Sequence, residues 1–410
     1  MRFLYNIALI KYGLLLRFVA LWNPKAKLWS HGRRNLLKKI SADFAGNTSD
    51  VVWIHSASLG EFEQARPLIE ALRRDYKALK IVVTFYSPSG YEIRKNYPLA
   101  DFVYYLPEDT TANARRFVEI VNPKIAVFIK YEYWFNYMNQ LRKHQIPFVY
   151  VSSIFRPSQT FFQFYGGWFL KHLKMGTHFF VQNNESVALL AKHDIHQVTK
   201  TGDTRFDRVA SIAEKVDGNA VVQEFKGDGV LLVAGSSWPG DEKLLVDLTT
   251  MNPQLKMVVA PHLIDEAHIQ QIEKLFASSV RYSQADITTV RSFKVLIIDN
   301  MGMLSAIYNY ANMAFIGGGF GAGIHNTLEA ATFGMPIFIG PNYHKFQEAK
   351  DLKELGVIRV VNQKAELEAE VKQLLHNPQK MKEISEKSKA YIQTNKGATQ
   401  SIIDFMKPFL

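Results

Sequence analysis

Apolar runs alternate with amphipathic stretches along the chain, and their spacing predicts a parallel α/β protein. Residues 51–55, 81–85, 125–129, 147–152 and 178–181 read as strands, with helices between them over 61–73 and about 110–120. The pattern pauses around 198–209 and restarts at 230–248 with an apolar strand, a small-residue loop and a helix opening on carboxylates. Further strands are expected at 256–260, 294–298, 313–317 and 336–339, and a closing helix around 379–408. The restart repeats the plan of 51–72, which implies two Rossmann-like domains facing across a cleft. Ligands of such sheets bind beyond the carboxyl ends of the strands.

The N-terminal run MRFLYNIALIKYGLLLRFVALW is interrupted by Lys11 and Arg17, so it holds no stretch of about 18 uncharged apolar residues, the length a membrane-crossing helix requires. A basic stretch, NPKAKLWSHGRRNLLKK, follows in place of a small-residue cleavage site, which argues against a cleaved signal. Leu4, Ile7, Leu14 and Leu15 can form one apolar face while Arg2, Lys11 and Arg17 reach toward anionic head groups. The expectation is a membrane-associating helix with a basic segment over 1–40, an N-terminal domain over 41–205 and a C-terminal domain over 206–410, whose last helix can pack back on the N-terminal one. A helix packed on the protein's own body would show the same periodicity.

Composition adds two constraints. The chain of 410 residues carries a formal charge of +11, which suits a nucleic acid, an acidic membrane surface or a phosphorylated substrate. It has no cysteine, which excludes disulfides, thiolate nucleophiles and cysteine-ligated zinc and is compatible with a reducing compartment.

Candidate chemistry gathers in the expected loops. Gly317, Gly318, Gly319, Gly321 and Gly323 precede HNTLEAATFG, and a helix starting there would offer its free N–H groups to an anion, although glycine clusters also make plain turns. Gly317, Gly319 and Ala322 satisfy a dinucleotide-binding spacing, but no acidic ribose hook follows the next strand. His325 and Asn326 lie about one turn before Glu329, so a phosphate at the helix start and a ribose on that carboxylate would suit a nucleotide donor. Glu61 follows Gly60 at a helix opening, where any carboxylate complements the dipole. Glu132, in YEYW, is expected at a strand's carboxyl end on the same side as Ser58 to Glu61. Arg205, in TGDTRFD, can meet a phosphate or make a surface ion pair. His55, His262 and His325 are widely spaced and read as structural or hydrogen-bonding histidines, and no metal motif or P-loop occurs.

The ordered set SASLGE, YEYW, GDTRFD, AGSSWPGDE, DNMGML and GIHNTLEAATFGMPIFIGP resembles the 3-deoxy-D-manno-octulosonic acid (Kdo) transferases of lipopolysaccharide biosynthesis, a GT-B glycosyltransferase family. The resemblance implies transfer of Kdo from CMP-Kdo to a lipid A precursor at the cytoplasmic membrane face, with neither metal, cofactor nor nucleic acid involved. It implies Glu61 as general base and Glu132 as a supporting carboxylate. Substrate contacts fall to Ser58, Gly60, Arg205, Ser236, Ser237, His262, Met301, Gly302, His325, Asn326 and Glu329, with Gly318 and Gly323 shaping the loop. The chain departs from the family pattern at Asp203 and Arg205, where asparagine and lysine are common, at Trp238, where histidine is frequent, and at APHLIDE, which lacks an arginine after the proline. The competing readings are another GT-B enzyme, such as a different sugar transferase or a UDP-sugar 2-epimerase, and a non-catalytic membrane-bound lipid-binding module.

Overall fold

The computed structural model describes residues 1–214 and 218–410. Two compact units emerge: Met1–Asp207 with Gly397–Leu410, and Arg208–Lys396. The first holds a parallel sheet of β1 (Val51–Ser56), β2 (Lys80–Phe85), β3 (Phe102–Tyr105), β4 (Ile125–Ile129), β5 (Phe148–Ser153), β6 (His178–Val181) and β7 (Val198–Lys200). Their order is β3-β2-β1-β4-β5-β6-β7. The second unit holds β8 (Val230–Ser237), β9 (Leu255–Pro261), β10 (Ser279–Arg281), β11 (Val295–Ile297), β12 (Met313–Ile316), β13 (Ile337–Ile339) and β14 (Ile358–Val360). Here the order is β10-β11-β9-β8-β12-β13-β14.

The central strands are buried on both faces, as parallel strands under crossover helices must be, and so read as continuous apolar runs. Trp53, Phe128, Tyr150 and Phe179 fill one side of the first sheet, while Ile54, Phe62, Leu68 and Val83 fill the other. In each sheet the strand order reverses once, between β1 and β4 and between β8 and β12. Crevices open at such switch points, and the loops leaving those four strands carry Glu61, Glu132 and the glycine-rich segment, while Arg205, His262, Met301 and Gly302 follow β7, β9 and β11.

Three local expectations are revised. The single helix over 379–408 is two helices, Pro378–Thr394 and Ala398–Met406. Gly397 breaks it with φ 108°, and the Asp207 carboxylate accepts from the Gly397 and Thr399 N–H groups at 2.6 and 2.7 Å. Ile402, Ile403 and Met406 then join the first unit's core. Residues 1–40 also belong to that unit. The helix Arg2–Val19 docks through Tyr5, whose hydroxyl donates to Asp109 at 2.6 Å, and through Asn6, which accepts from Asn136 at 2.9 Å. Its other faces leave Phe3, Leu4, Ile10, Leu14, Leu15 and Phe18 exposed. Among the described residues no helix is long and apolar enough to cross a membrane. Finally, the helix expected at His325 opens only at Leu328 and runs five residues to Thr332. Asn326 Oδ1 accepts the Leu328 N–H, so the expected row of free donors beside the glycine loop is not present as such.

Candidate active site

In the first unit, Glu61 occupies the first turn of the helix Leu59–Asp75, directly after β1, and Ser58 is its N-cap residue. The Glu61 carboxylate turns back to accept the Ala57 N–H at 2.5 Å, which orients it toward the end of the strand. At Gly60 a Cβ would meet only the Ser58 Oγ, at 4.0 Å. Burial, followed by the charge of Glu132, raises the Glu61 pKa from 4.5 to about 7.

Glu132 leaves β4 on the loop the sequence assigned to it and is buried. Its Oε2 accepts from Trp134 Nε1 at 2.8 Å and lies 3.0 Å from His55 Nε2. His55 is in turn seated by Thr84, 2.8 Å from its Nδ1, and Trp53 donates to the same hydroxyl at 2.8 Å. Lys130, two residues before Glu132, holds the left-handed conformation at φ 57°, and its charge partly opposes the rise at Glu61. Backbone outliers of this kind concentrate where a site overrides local preference. The structure thus brings Glu61 and Glu132 into electrostatic reach and adds His55, Trp134 and Lys130. The available signal for His55 was a polar residue ending an otherwise apolar strand.

Arg205 forms the ion pair that was the alternative to a phosphate contact. Its Nη2 and Nε lie 2.8 and 3.0 Å from Asp203 Oδ2, a buried carboxylate that also accepts from Gln64 at 2.8 Å.

In the second unit, the loops after β8 and β12 close on each other. Asp241 accepts from the N–H groups of Trp238 and Gly318 at 3.0 and 2.8 Å, stapling the two loops together. Gly318 has φ 91°, and a Cβ there would lie 2.4 Å from the Gly323 oxygen, so only glycine fits. Gly323 is likewise left-handed at φ 136°. A cavity of about 380 Å³ lies against these loops, lined by Trp238, Asp241, Phe320 and His325 among others. Trp238, His262 and His325 stack their rings, with His262 4.8 Å from Trp238 and 4.3 Å from His325. Trp238 Nε1 donates to His325 Nε2 at 3.1 Å, which assigns the remaining ring proton of His325 to Nδ1. Burial, with His262 adding to it, lowers the His325 pKa to about 4, so the ring is neutral at physiological pH.

Glu329 is held by Ser305 at 2.6 Å and Asn326 at 3.0 Å. Ser237 is buried and donates to Glu242 at 2.9 Å, while Ser236 takes φ 53° at the end of β8. Gly302, at φ 92°, turns the chain three residues before Ser305, and neighbouring Met301 is exposed. The structure therefore joins Trp238, His262 and His325 in one group and Ser305, Asn326 and Glu329 in another. Ser305 and Trp238 were absent from the predicted contacts.

Two parallel α/β units, each with candidate residues at its switch point, match the GT-B fold of nucleotide-sugar enzymes. The UDP-GlcNAc 2-epimerase from Neisseria meningitidis has this fold, with a TM-score of 0.59 and 15% identity over 88% of this chain and 100% of that one. The family model of 3-deoxy-D-manno-octulosonic-acid transferase (kdotransferase) matches residues 30–208. The chain is 27% identical to 3-deoxy-D-manno-octulosonic acid transferase of Haemophilus influenzae, covering 100% of this chain and 99% of that protein. It is 25% identical to the enzyme of the same name from Aquifex aeolicus, over 84% and 91% of the two chains. These similarities support a Kdo-transferring glycosyltransferase of lipopolysaccharide biosynthesis.

Proposed function

We propose that the protein transfers Kdo from CMP-Kdo to a hydroxyl of a phosphorylated lipid A precursor of the lipid IVA type, in lipopolysaccharide biosynthesis, with inversion at the anomeric carbon. The observation that carries the reaction type is Glu61, a carboxylate at the switch point of its sheet whose pKa is raised to about 7. A base is most effective when its pKa lies near the working pH, and its usual contribution is about 10²- to 10⁴-fold.

In the proposed step Glu61 takes the proton of the acceptor hydroxyl. The oxygen forms a bond to the anomeric carbon of Kdo, and the carbon–oxygen bond to CMP breaks, with its electron pair leaving on the phosphate. Glu132 keeps the charge of its neighbour high in energy until that proton arrives, while Trp134 and His55 hold it in place. On the donor side, Glu329 is oriented by Ser305 and Asn326 to accept from ribose hydroxyls. His325 offers a neutral Nδ1–H, and the small-residue loop lets backbone approach the nucleotide. Arg205 serves the frame around Asp203 in this scheme.

The exposed apolar faces of Arg2–Val19 and their basic neighbours support peripheral attachment at the cytoplasmic face of an anionic inner membrane, where the acceptor resides. Donor identity is tested by thermal unfolding with nucleotides. CMP and CMP-Kdo should raise the unfolding temperature while UDP should not; protection by UDP alone would favour a UDP-sugar enzyme.

A further inference from the structure

Beside the N-terminal helix the first unit has a cavity of about 530 Å³, and none of its lining residues belongs to the group around Glu61 and Glu132. Its wall is cationic: Arg17, Arg33, Arg34 and Lys38 face a single carboxylate, Glu108. Arg17 pairs with that carboxylate. The Arg33 guanidinium donates to the carbonyl oxygens of Tyr86, Leu106 and Trp29 at 2.8, 2.9 and 3.1 Å, and it lies 4.2 Å from the centre of the Trp29 ring. Arg34 and Lys38 are exposed, and their side chains have no partner among the described residues. The concave surface therefore holds uncompensated positive charge.

The rim is apolar. Leu21, one of the lining residues, is 76% exposed, and Phe18 and Trp22 beside it are 61% and 62% exposed. An apolar ridge alone would suit many partners. Cations recessed in a cavity beside such a ridge select a compact anion attached to hydrocarbon chains, since phosphate oxygens match guanidinium and ammonium donors and the chains cover the ridge.

We propose that this cavity binds the phosphate headgroup of an anionic glycerophospholipid of the bilayer, with the acyl chains lying along Phe18, Leu21 and Trp22. The proposal rests on the membrane-attachment part of the reading above and assigns that attachment a specific headgroup site.

The test is co-sedimentation of the full chain with phosphatidylcholine vesicles, with and without phosphatidylglycerol, at physiological ionic strength. Arg34→Gln/Lys38→Gln removes two cavity cations. Lys25→Gln/Lys27→Gln removes the same charge from the exposed face of the neighbouring helix Pro24–His31. Wild type should prefer the phosphatidylglycerol vesicles, and the cavity pair should lose more in partitioning than the roughly 30-fold that diffuse attraction gives two surface cations at about fivefold each. That loss should exceed the control pair's by at least about fivefold, because diffuse attraction is screened while site contacts are not. Equal losses in the two pairs overturn the proposal and leave peripheral attachment standing. Failure of wild type to bind either vesicle overturns attachment itself. Full vesicle binding by the cavity pair with a raised KM for the phosphorylated acceptor would make the cavity an acceptor site and also overturn the proposal.

Discussion

Glu61→Gln separates the charge of the proposed base from its shape. Glutamine still accepts the Ala57 N–H that Glu61 takes at 2.5 Å, so the loop geometry is retained. Moving the carboxyl pKa from 4.5 to about 7 penalises the charged form in the folded state. At about 1.4 kcal/mol per pKa unit this amounts to about 3 kcal/mol, and partial solvation of the side chain brings the expectation to between about 1 and 3 kcal/mol. The sign follows from proton uptake. Below pH 4.5 the carboxyl is protonated in both folded and unfolded chains, and the shift contributes nothing. Between 4.5 and about 7 the unfolded chain ionises first, so folded wild type loses stability as pH rises, and above about 7 the whole penalty is present. The variant should therefore match wild type at low pH and exceed it by about 1 to 3 kcal/mol near pH 8. Urea unfolding across this range reads the difference by fluorescence, because Trp22, Trp29, Trp53, Trp134 and Trp168 all lie in the first unit. The same substitution should lower kcat by about 10²- to 10⁴-fold while leaving CMP protection intact. A stability difference that does not vary with pH, or a kcat within about threefold of wild type, would refute the assignment.

Three other substitutions probe separate links. Glu132→Gln removes the charge that helps hold the Glu61 pKa up, so the acidic limb of the kcat profile should move below about 7; an unmoved limb would mean that burial alone sets it. Trp238→Phe keeps the ring stack but loses the donor to His325, so the Nδ1–H tautomer should no longer dominate in ¹⁵N spectra and the KM for CMP-Kdo should rise by about 5- to 10-fold, the cost of about 1 kcal/mol. An unchanged tautomer would remove Trp238 as its cause. Asp207→Ala strips the start of Ala398–Met406 of its acceptors and should cost about 1 to 2 kcal/mol, with amide exchange across that helix accelerating first; uniform exchange would contradict the cap.

The central strands were legible because parallel strands buried on both faces leave uninterrupted apolar runs. The four strands missed, β3, β7, β10 and β14, are the edges of the two sheets. Three of them have three residues, and their burial is partial, so neither length nor apolarity marks them. The placement of Glu61 and Glu132 at strand ends followed from the strand-loop-helix pattern. The ion pair of Arg205 with Asp203 was less visible, because a charge two residues away on a loop is a partner only once the local turn is known. The stacking of Trp238, His262 and His325 depends on three loops leaving β8, β9 and β12 to meet, which no local pattern encodes. Two of those rings, Trp238 and His262, stand where the sequence departs from the pattern of the family it resembles, and the departures meet in space.

Kdo transfer with Glu61 as base is tested most directly by incubating the protein with CMP-Kdo and a lipid A precursor and measuring the mass of the lipid product beside a Glu61→Gln control. Wild type should yield a lipid heavier by one or more Kdo residues with release of one CMP per Kdo, and the variant little of either. Absence of the Kdo-bearing lipid from wild type while a UDP-sugar is turned over, or equal yields from the two proteins, would contradict it.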